Sequence, residues 1–346
     1  MKKIGIACLL LVFLLTGCAG SELRARFKEA SELLEEGEYE DAQEIFEEII
    51  EEERFLAEAY RGAGLCQLFE GDSADACISL EKSLLHADNA GAEFVRDVNL
   101  YLAFARTRNG QYEKAMQIYS DLTARGAEAD VLFLRGRLHL VMDEEEEAKA
   151  DFDRASEIAS DYDLFVNIYR VYESTGRSAD GARYLEKALE LANLEEQNYY
   201  DRALVNYYLQ NYQDAKELLI AGIRADSQDT RCIFLLGRLY LAMDDVPDAR
   251  AVYREHLSDE EVAPFAYNGL ALCDMEEQDY KSALKNIREG LDYENEDADQ
   301  GLLYNEIVAC EHLKDWSKAR DLAARYVARY PADEQGLKEY EFLSTR

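Results

Sequence analysis

From Leu23 onward the apolar residues of this chain recur at steps of three and four, and the strict two-residue alternation of a half-buried strand is absent. That spacing places one apolar stripe along a helix, so the pattern predicts a succession of amphipathic helices. Glu, Ala, Leu, Lys and Arg dominate the stretches, and all are good helix formers. Punctuation is sparse. The 346 residues contain three prolines, Pro247, Pro264 and Pro331, and no Gly/Ser-rich linker divides them into domains.

The helices come with a longer period. Gly37-Glu38-Tyr39 is followed by Ala42 and Phe46, and Gly110-Gln111-Tyr112 by Ala115 and Tyr119. Tyr280 with Ala283 and Ile287, and Trp316 with Ala319, repeat the arrangement near the other end. One small residue per unit falls at 42, 76, 115, 148, 181, 215, 249, 283 and 319, in steps of 34, 39, 33, 33, 34, 34, 34 and 36. The upstream half of each unit carries its own signature, clearest at Leu236-Gly237 with Tyr240, and visible at Tyr60 with Ala63-Gly64 and Tyr267 with Leu270-Ala271.

These residues resemble the tetratricopeptide repeat, a helix–turn–helix unit of about 34 residues. The resemblance covers residues 22–333, and Pro331 stands where the family places its helix-ending proline. Two units depart from it. Asp143 and Glu145 replace the turn glycine and the aromatic, and Glu306-Ile307 replaces an apolar–small pair. The resemblance implies an all-α, right-handed α-solenoid of about nine hairpins. Residues 334–346 read as a C-terminal capping helix and tail. In each unit a small residue (Gly64, Ala103, Gly136, Ala203, Gly237 or Ala271) is expected to let two helices close, and a bulky one (Phe46, Tyr119, Phe152 or Tyr253) to fill the space between hairpins. A single hairpin cannot cover its own apolar side, so neighbours must stack. The 39-residue step predicts an insertion near His86–Glu93, read as a longer loop.

The N-terminus follows a different rule. Met1-Lys2-Lys3 opens a short apolar run from Ile4 to Leu15. A membrane-spanning helix needs about 20 apolar residues, so the run fits the core of a secretory signal peptide. Leu15-Thr16-Gly17-Cys18 then resembles the bacterial lipobox, which implies cleavage before Cys18 and lipidation of its thiol. Residues 1–17 are thus expected to be removed and residues 18–22 to form a short lipidated tether. Residues 23–333 form the repeat array. Five extended residues reach at most ~18 Å, which would hold the first hairpin close to the bilayer. Residue 19 is Ala, unlike an inner-membrane retention signal. The expected location is the extracytoplasmic face of a cell membrane or an outer membrane.

Charge narrows the partners. The net charge of −34 becomes −36 once Lys2 and Lys3 leave with the leader. Such a surface repels nucleic-acid phosphates and anionic lipid headgroups, so membrane attachment falls to the lipid. Of seven cysteines, Cys66, Cys77, Cys232, Cys273 and Cys310 remain in the mature chain, each in an apolar helical context. They read as buried thiols, with a Cys66–Cys77 bridge as the alternative. His86, His139, His256 and His312 lie too far apart in sequence to make a metal-binding pair one turn apart. The acidic runs Asp143–Glu147 and Glu294–Asp299 lack the spacing of a calcium loop. No catalytic motif, cofactor motif or metal motif emerges, so a non-enzymatic role is expected.

What remains is the face of each first helix, which in tetratricopeptide proteins lines the concave groove. The resemblance places Phe133 and Arg137 there, then Arg170, Tyr200 and Tyr207, Arg231, Phe234 and Arg238, and Phe265. Leu140, Val166, Leu204 and Tyr208 lie alongside. Arginine beside aromatics is the composition of interface hot spots and suits a partner carrying a carboxylate. The same arginines could equally pair with their many acidic neighbours, and spacing alone does not choose. The spaced Lys and Asn residues with which some family members clamp a partner's C-terminus are missing. The expected function is a scaffold binding partner proteins or peptides, of the kind that lipid-anchored family members provide in envelope assembly, secretion or wall-enzyme organisation. Capture of a peptide or glycan ligand is the alternative, and salt-sensitive steering of a basic partner a secondary mode. Oligomeric state is left open.

Overall fold

In a computed structural model of the protein, residues 18–192, 198–330 and 333–345 are described. Leu15-Thr16-Gly17 of the lipobox, the Cys18 side chain and Pro331 lie outside them. The described residues form nineteen α-helices and no strand.

The chain divides into two compact units, residues 1–125 and 126–346. The first holds three hairpins: α1 (Cys18–Glu36) with α2 (Tyr39–Glu51), α3 (Leu56–Glu70) with α4 (Ser73–Leu85), and α5 (Ala92–Arg108) with α6 (Tyr112–Arg125). The second holds six: α7 (Ala129–Val141) with α8 (Glu145–Ile158), α9 (Tyr162–Ser174) with α10 (Ser178–Ala192), α11 (Tyr199–Tyr208) with α12 (Tyr212–Ala225), α13 (Thr230–Ala242) with α14 (Val246–Glu255), α15 (Ala263–Glu276) with α16 (Tyr280–Leu291), and α17 (Glu296–His312) with α18 (Trp316–Arg329). A last helix, α19 (Glu334–Ser344), packs Leu343 onto α18 beside Tyr326. Inside each unit every helix packs on its neighbours in sequence.

One backbone device makes all nine turns. Each first helix ends in a residue with positive φ: Gly37, Gly71, Gly110, Asp143, Gly176, Gln210, Asp244, Gln278 and Lys314. They follow one another in steps of 34, 39, 33, 33, 34, 34, 34 and 36, the register of the small residues. The next residue donates its N–H back to a carbonyl five residues earlier, as in Asp72 N to Gln67 O at 2.8 Å and Asp245 N to Tyr240 O at 2.8 Å. This is the six-to-one closure of a Schellman cap, and it satisfies carbonyls that the helix end leaves open. In four hairpins the same residue then opens the second helix. The carboxylates of Asp72, Asp245, Asp279 and Asp315 accept the N–H three residues on. Asp143, which lacks the expected glycine, adopts φ 61 and makes the turn all the same.

The bulky residues meet the small ones across hairpins as well as within them. Phe46 lies against Gly62 of the next hairpin, while Leu80 packs on Gly64 within its own. Tyr253, fully buried, fills the notch at Gly237 of its own hairpin and the notch at Gly269 of the next. Its hydroxyl donates to the Phe234 carbonyl at 3.1 Å.

Several expectations are refined. The extra residues of the 39-residue step are shared between a six-residue loop, 86–91, and α5, which at 17 residues is about a turn longer than the 13-residue α7 and α9. Helix α1 begins at Cys18, so the backbone of residues 18–22 is helical and rises about 8 Å, short of the extended limit. The five cysteines are free and buried, and no Cys66–Cys77 bridge forms. Burial pushes the Cys66 and Cys232 thiols up to about 12, which leaves them protonated and inert at neutral pH.

The turn geometry sets a stability prediction. Gln278→Gly, which relieves a left-handed non-glycine residue, is expected to stabilise the chain by about 0.5–1 kcal/mol. Gly176→Ala is expected to cost about 1–2 kcal/mol. A Cβ at Gly176 would meet nothing within 4 Å, so that loss measures backbone strain alone. Thermal unfolding followed by circular dichroism reads both, and equal shifts for the two variants would contradict the assignment.

Candidate functional site

Several arginines on this acidic chain are held by carboxylates. Arg135 forks onto Asp151 at 2.7 and 2.6 Å, and Arg250 reaches both Asp274 and Glu277 at 2.6 Å. Arg177 holds Asp143 and Glu145, and Arg329 holds Asp299 at 3.0 Å. Against 72 acidic residues the 38 basic ones are outnumbered, so pairing is the default.

Two arginines of the second unit rest instead on aromatic rings. The Arg170 Nε donates to the Tyr208 hydroxyl at 3.2 Å, and its guanidinium sits 5.9 Å from the centre of the same ring. The exposed Arg238 lies 5.8 Å from the Tyr207 ring centre. Neither is ion-paired among the described residues. The third, Arg231, stacks on Tyr200 at 4.9 Å and pairs with Asp229 at 3.3 Å. For Arg231, pairing with an acidic neighbour therefore holds; for Arg170 and Arg238 it does not.

These groups line one cleft of about 190 Å³, formed by Arg170, Tyr200, Leu204, Tyr208, Thr230, Arg231, Phe234, Leu235, Arg238 and Phe265. Every one belongs to a first helix: α9, α11, α13 or α15. The supporting contacts run inward. Tyr208 is held by Tyr169 at 5.0 Å and Tyr207 at 5.8 Å between ring centres, which fixes the hydroxyl that receives Arg170. The Phe234 ring packs 6.0 Å from Tyr253, whose hydroxyl also ties the Phe234 carbonyl. The core ring that joins two hairpins thus backs the wall of the cleft. Burial pushes the Tyr200 and Tyr162 hydroxyls above the usual phenol range, so both stay neutral at physiological pH. Tyr162 donates to the Asp201 carbonyl at 3.0 Å.

Asp229 organises the edge of the cleft. Its carboxylate accepts the N–H groups of Arg231 and Cys232 at the start of α13 and also pairs with the Arg231 side chain. Burial alone would raise its pKa, but Arg231 and the Cys232 amide outweigh burial and hold it below 3.8.

Six of the nine groove residues expected from sequence meet here: Arg170, Tyr200, Arg231, Phe234, Arg238 and Phe265. Tyr207 lies behind them and supports Arg238. Phe133 belongs to the core instead. It is 8% exposed and lies 6.1 Å from Phe152, because Gly136, one turn on, lets Phe152 approach within 2.8 Å of where a Cβ would stand, and Phe133 closes over that ring. Arg137 is half-buried, already engaged, and not part of the cleft. Leu140 and Val166 are buried at 2% and 3%. Thr230 and Leu235 line the cleft without having been expected there. Only the register of α13 behind its Asp229 cap could have signalled them.

A second cleft, about 350 Å³, lies between α16, α17 and α18 and is walled by Leu291, Leu303 and Leu322. It is larger; Glu306 is tied to Lys318 and Arg329 to Asp299, while Arg325 in its lining has no aromatic ring stacked on it among the described residues. Among the described residues no cluster of His, Cys, Asp and Glu could hold a metal ion, and no helix is long and apolar enough to cross a membrane. His86 stacks on Tyr60, His312 stacks on Tyr280 at 4.4 Å, and His139 bonds Glu144 at 2.6 Å.

A depressed carboxyl contributes stability above its unfolded pKa and loses it as pH falls through the folded value. Asp229→Ala, which removes a helix cap and an ion pair, is therefore expected to destabilise the chain by about 1 kcal/mol at neutral pH. The gap to the parent chain should close in acid, once the pH falls through the lowered Asp229 value. Urea unfolding at both pH values checks this, and a gap independent of pH would refute it.

The tetratricopeptide repeat family model matches residues 27–92 and 200–267, and the model of the coatomer epsilon subunit matches residues 238–332. No curated protein matches the chain. Among solved structures, a tetratricopeptide repeat protein from Parabacteroides merdae is 16% identical, with 75% of this chain and 98% of that one covered at a TM-score of 0.48. Yeast Tom70 is 15% identical, with 93% and 81% covered at 0.48. The Cut9–Hcn1 hetero-tetramer of the APC/C is 16% identical, with 88% and 58% covered at 0.36. Residues 27–92 and 200–267 are thus similar to tetratricopeptide repeats, within a chain whose described residues form helical hairpins from α1 to α18.

Proposed function

We propose that this protein is a non-catalytic scaffold that binds partner proteins or peptides through the cleft on α9, α11, α13 and α15, and that a lipid on Cys18 holds it at the extracytoplasmic face of a bacterial membrane. The observation that carries the binding half is the cleft itself. Arg170 and Arg238 stay unpaired with carboxylates on a chain of net charge −34, between Tyr200, Tyr208, Phe234 and Phe265. Arginines backed by aromatic rings are frequent anchors of protein interfaces.

At the α9–α15 cleft, size favours this reading over capture of a small peptide or glycan. Small-ligand sites usually enclose about 300–1,000 Å³. The cleft, at about 190 Å³, has room for one or two side chains of a larger partner.

The anchoring half rests on Leu15-Thr16-Gly17-Cys18 after a basic start and an apolar run. The several acyl chains of a lipoprotein each add about 0.8 kcal/mol per buried methylene, enough to hold a body whose charge disfavours the membrane surface. In cells given an alkyne-tagged fatty acid, the full chain is expected to incorporate the tag and Cys18→Ser to lose both tag and membrane fractionation. An untagged parent chain would sink the anchor.

For the binding half, the full chain with an affinity tag is recovered from detergent-solubilised membranes beside Arg170→Glu/Arg238→Glu. A specific set of partners is expected with the parent chain and is expected to fall at least about tenfold with the charge-reversed one, the loss of roughly one hot-spot interaction. Equal recovery by both chains, with the variant's circular dichroism unchanged, would rule the cleft out.

A further inference from the structure

We propose that the α9–α15 cleft selects an acidic side chain, Asp or Glu, flanked by apolar or aromatic residues in an extended segment of the partner. This rests on the scaffold reading above and adds the chemistry of what is recognised.

Field and site point in opposite directions. At a net charge of −34 the surface as a whole attracts cations and repels anions. A basic segment would find carboxylates on every side and would gain nothing from a cleft rimmed by three guanidinium groups. An acidic segment is repelled elsewhere and has an unspent counter-charge only where an arginine lacks a carboxylate. Arg170 and Arg238 meet that condition, and Arg231 stands between them in the lining of the same cleft. Two such arginines lining one cleft, on a surface otherwise rich in carboxylates, yield specificity without a large contact area.

The donor set favours a carboxylate over a phosphate. Phosphate sites commonly recruit backbone amides at a helix N-terminus. The helix that begins at the cleft, α13, has its Arg231 and Cys232 amides already occupied by Asp229. What is left is planar guanidinium groups, whose paired N–H bonds match the two oxygens of a carboxylate. Tyr200, kept neutral by burial, adds a phenol to the same lining. Leu204, Leu235, Phe234 and Phe265 supply the apolar remainder, which suits the residue next to the acid. The volume fits such a pair of side chains and little more.

The test uses the full-length chain in detergent and a dye-labelled peptide library, N-acetylated and C-terminally amidated, with one fixed Glu flanked by Leu or Phe. Fluorescence anisotropy compares it with the same library carrying Gln. The Glu library is expected to bind at least about tenfold more tightly, the fold-change of one charge-assisted hydrogen bond. Arg170→Met and Arg238→Met are each expected to weaken the Glu library and leave the Gln library unchanged. Arg238 is exposed, so its replacement leaves the packing intact even if Arg170→Met perturbs it. Equal affinity for the Glu and Gln libraries would overturn acid selection while leaving peptide binding in place. Binding that appears only when the C-terminus is left as a free carboxylate, or a tenfold preference for phosphoserine over Glu, would reassign the cleft and overturn the proposal. Failure of every library to bind would overturn both this inference and the scaffold reading at the cleft.

Discussion

A buried tyrosine shared by two hairpins shows the constraint on which the structure rests. Tyr253 enters the gap left by Gly237 in its own hairpin and by Gly269 in the next, and its hydroxyl bonds the Phe234 carbonyl. Neither hairpin could cover that ring alone. Phe46 against Gly62 and Phe152 against Gly136 are further versions of the same fit. Ring into glycine notch is a close-packing requirement, and cores at native density tolerate an extra methyl group poorly. Stacking is therefore the condition for folding, and the hairpins of each unit are held by their neighbours in sequence.

The turns make that stacking repeatable. A left-handed residue and the six-to-one hydrogen bond after it reverse the chain in two residues, so each second helix starts at a fixed offset from the first. Side chains at equivalent positions of α9, α11, α13 and α15 then fall on one face. The cleft is a consequence of this repetition. Its residues are those that packing leaves over, and Tyr253 sets the position of one wall from behind.

Charge works on the same frame. Arg135 and Arg250 bind carboxylates within their own hairpin or in the hairpin beside it, which offsets the self-repulsion of an acidic chain. Where aromatic residues replace carboxylates around Arg170 and Arg238, cation–ring contacts and a phenol take over, and such contacts leave most guanidinium N–H groups open. Two arginines so placed in one cleft are the feature from which a binding surface can be recognised.

The sequence by itself determined the helical class, the nine-fold period and the turn positions, including the turn at Asp143 where the glycine is missing. It could do so because each of these depends on contacts within one period of the chain: apolar stripes, a small residue opposite a large one, a cap at each helix end. Six of the nine residues expected on the groove share one cleft for the same reason, since register along a first helix fixes the face a residue shares. Tertiary structure decided what depends on partners from different helices. Phe133 turned inward because Gly136 admits Phe152, and Arg231 was neutralised by Asp229 while Arg170 found only Tyr208. Which carboxylate reaches which guanidinium is a matter of a few ångströms across helices, and the spacing of residues along the chain carries no record of it.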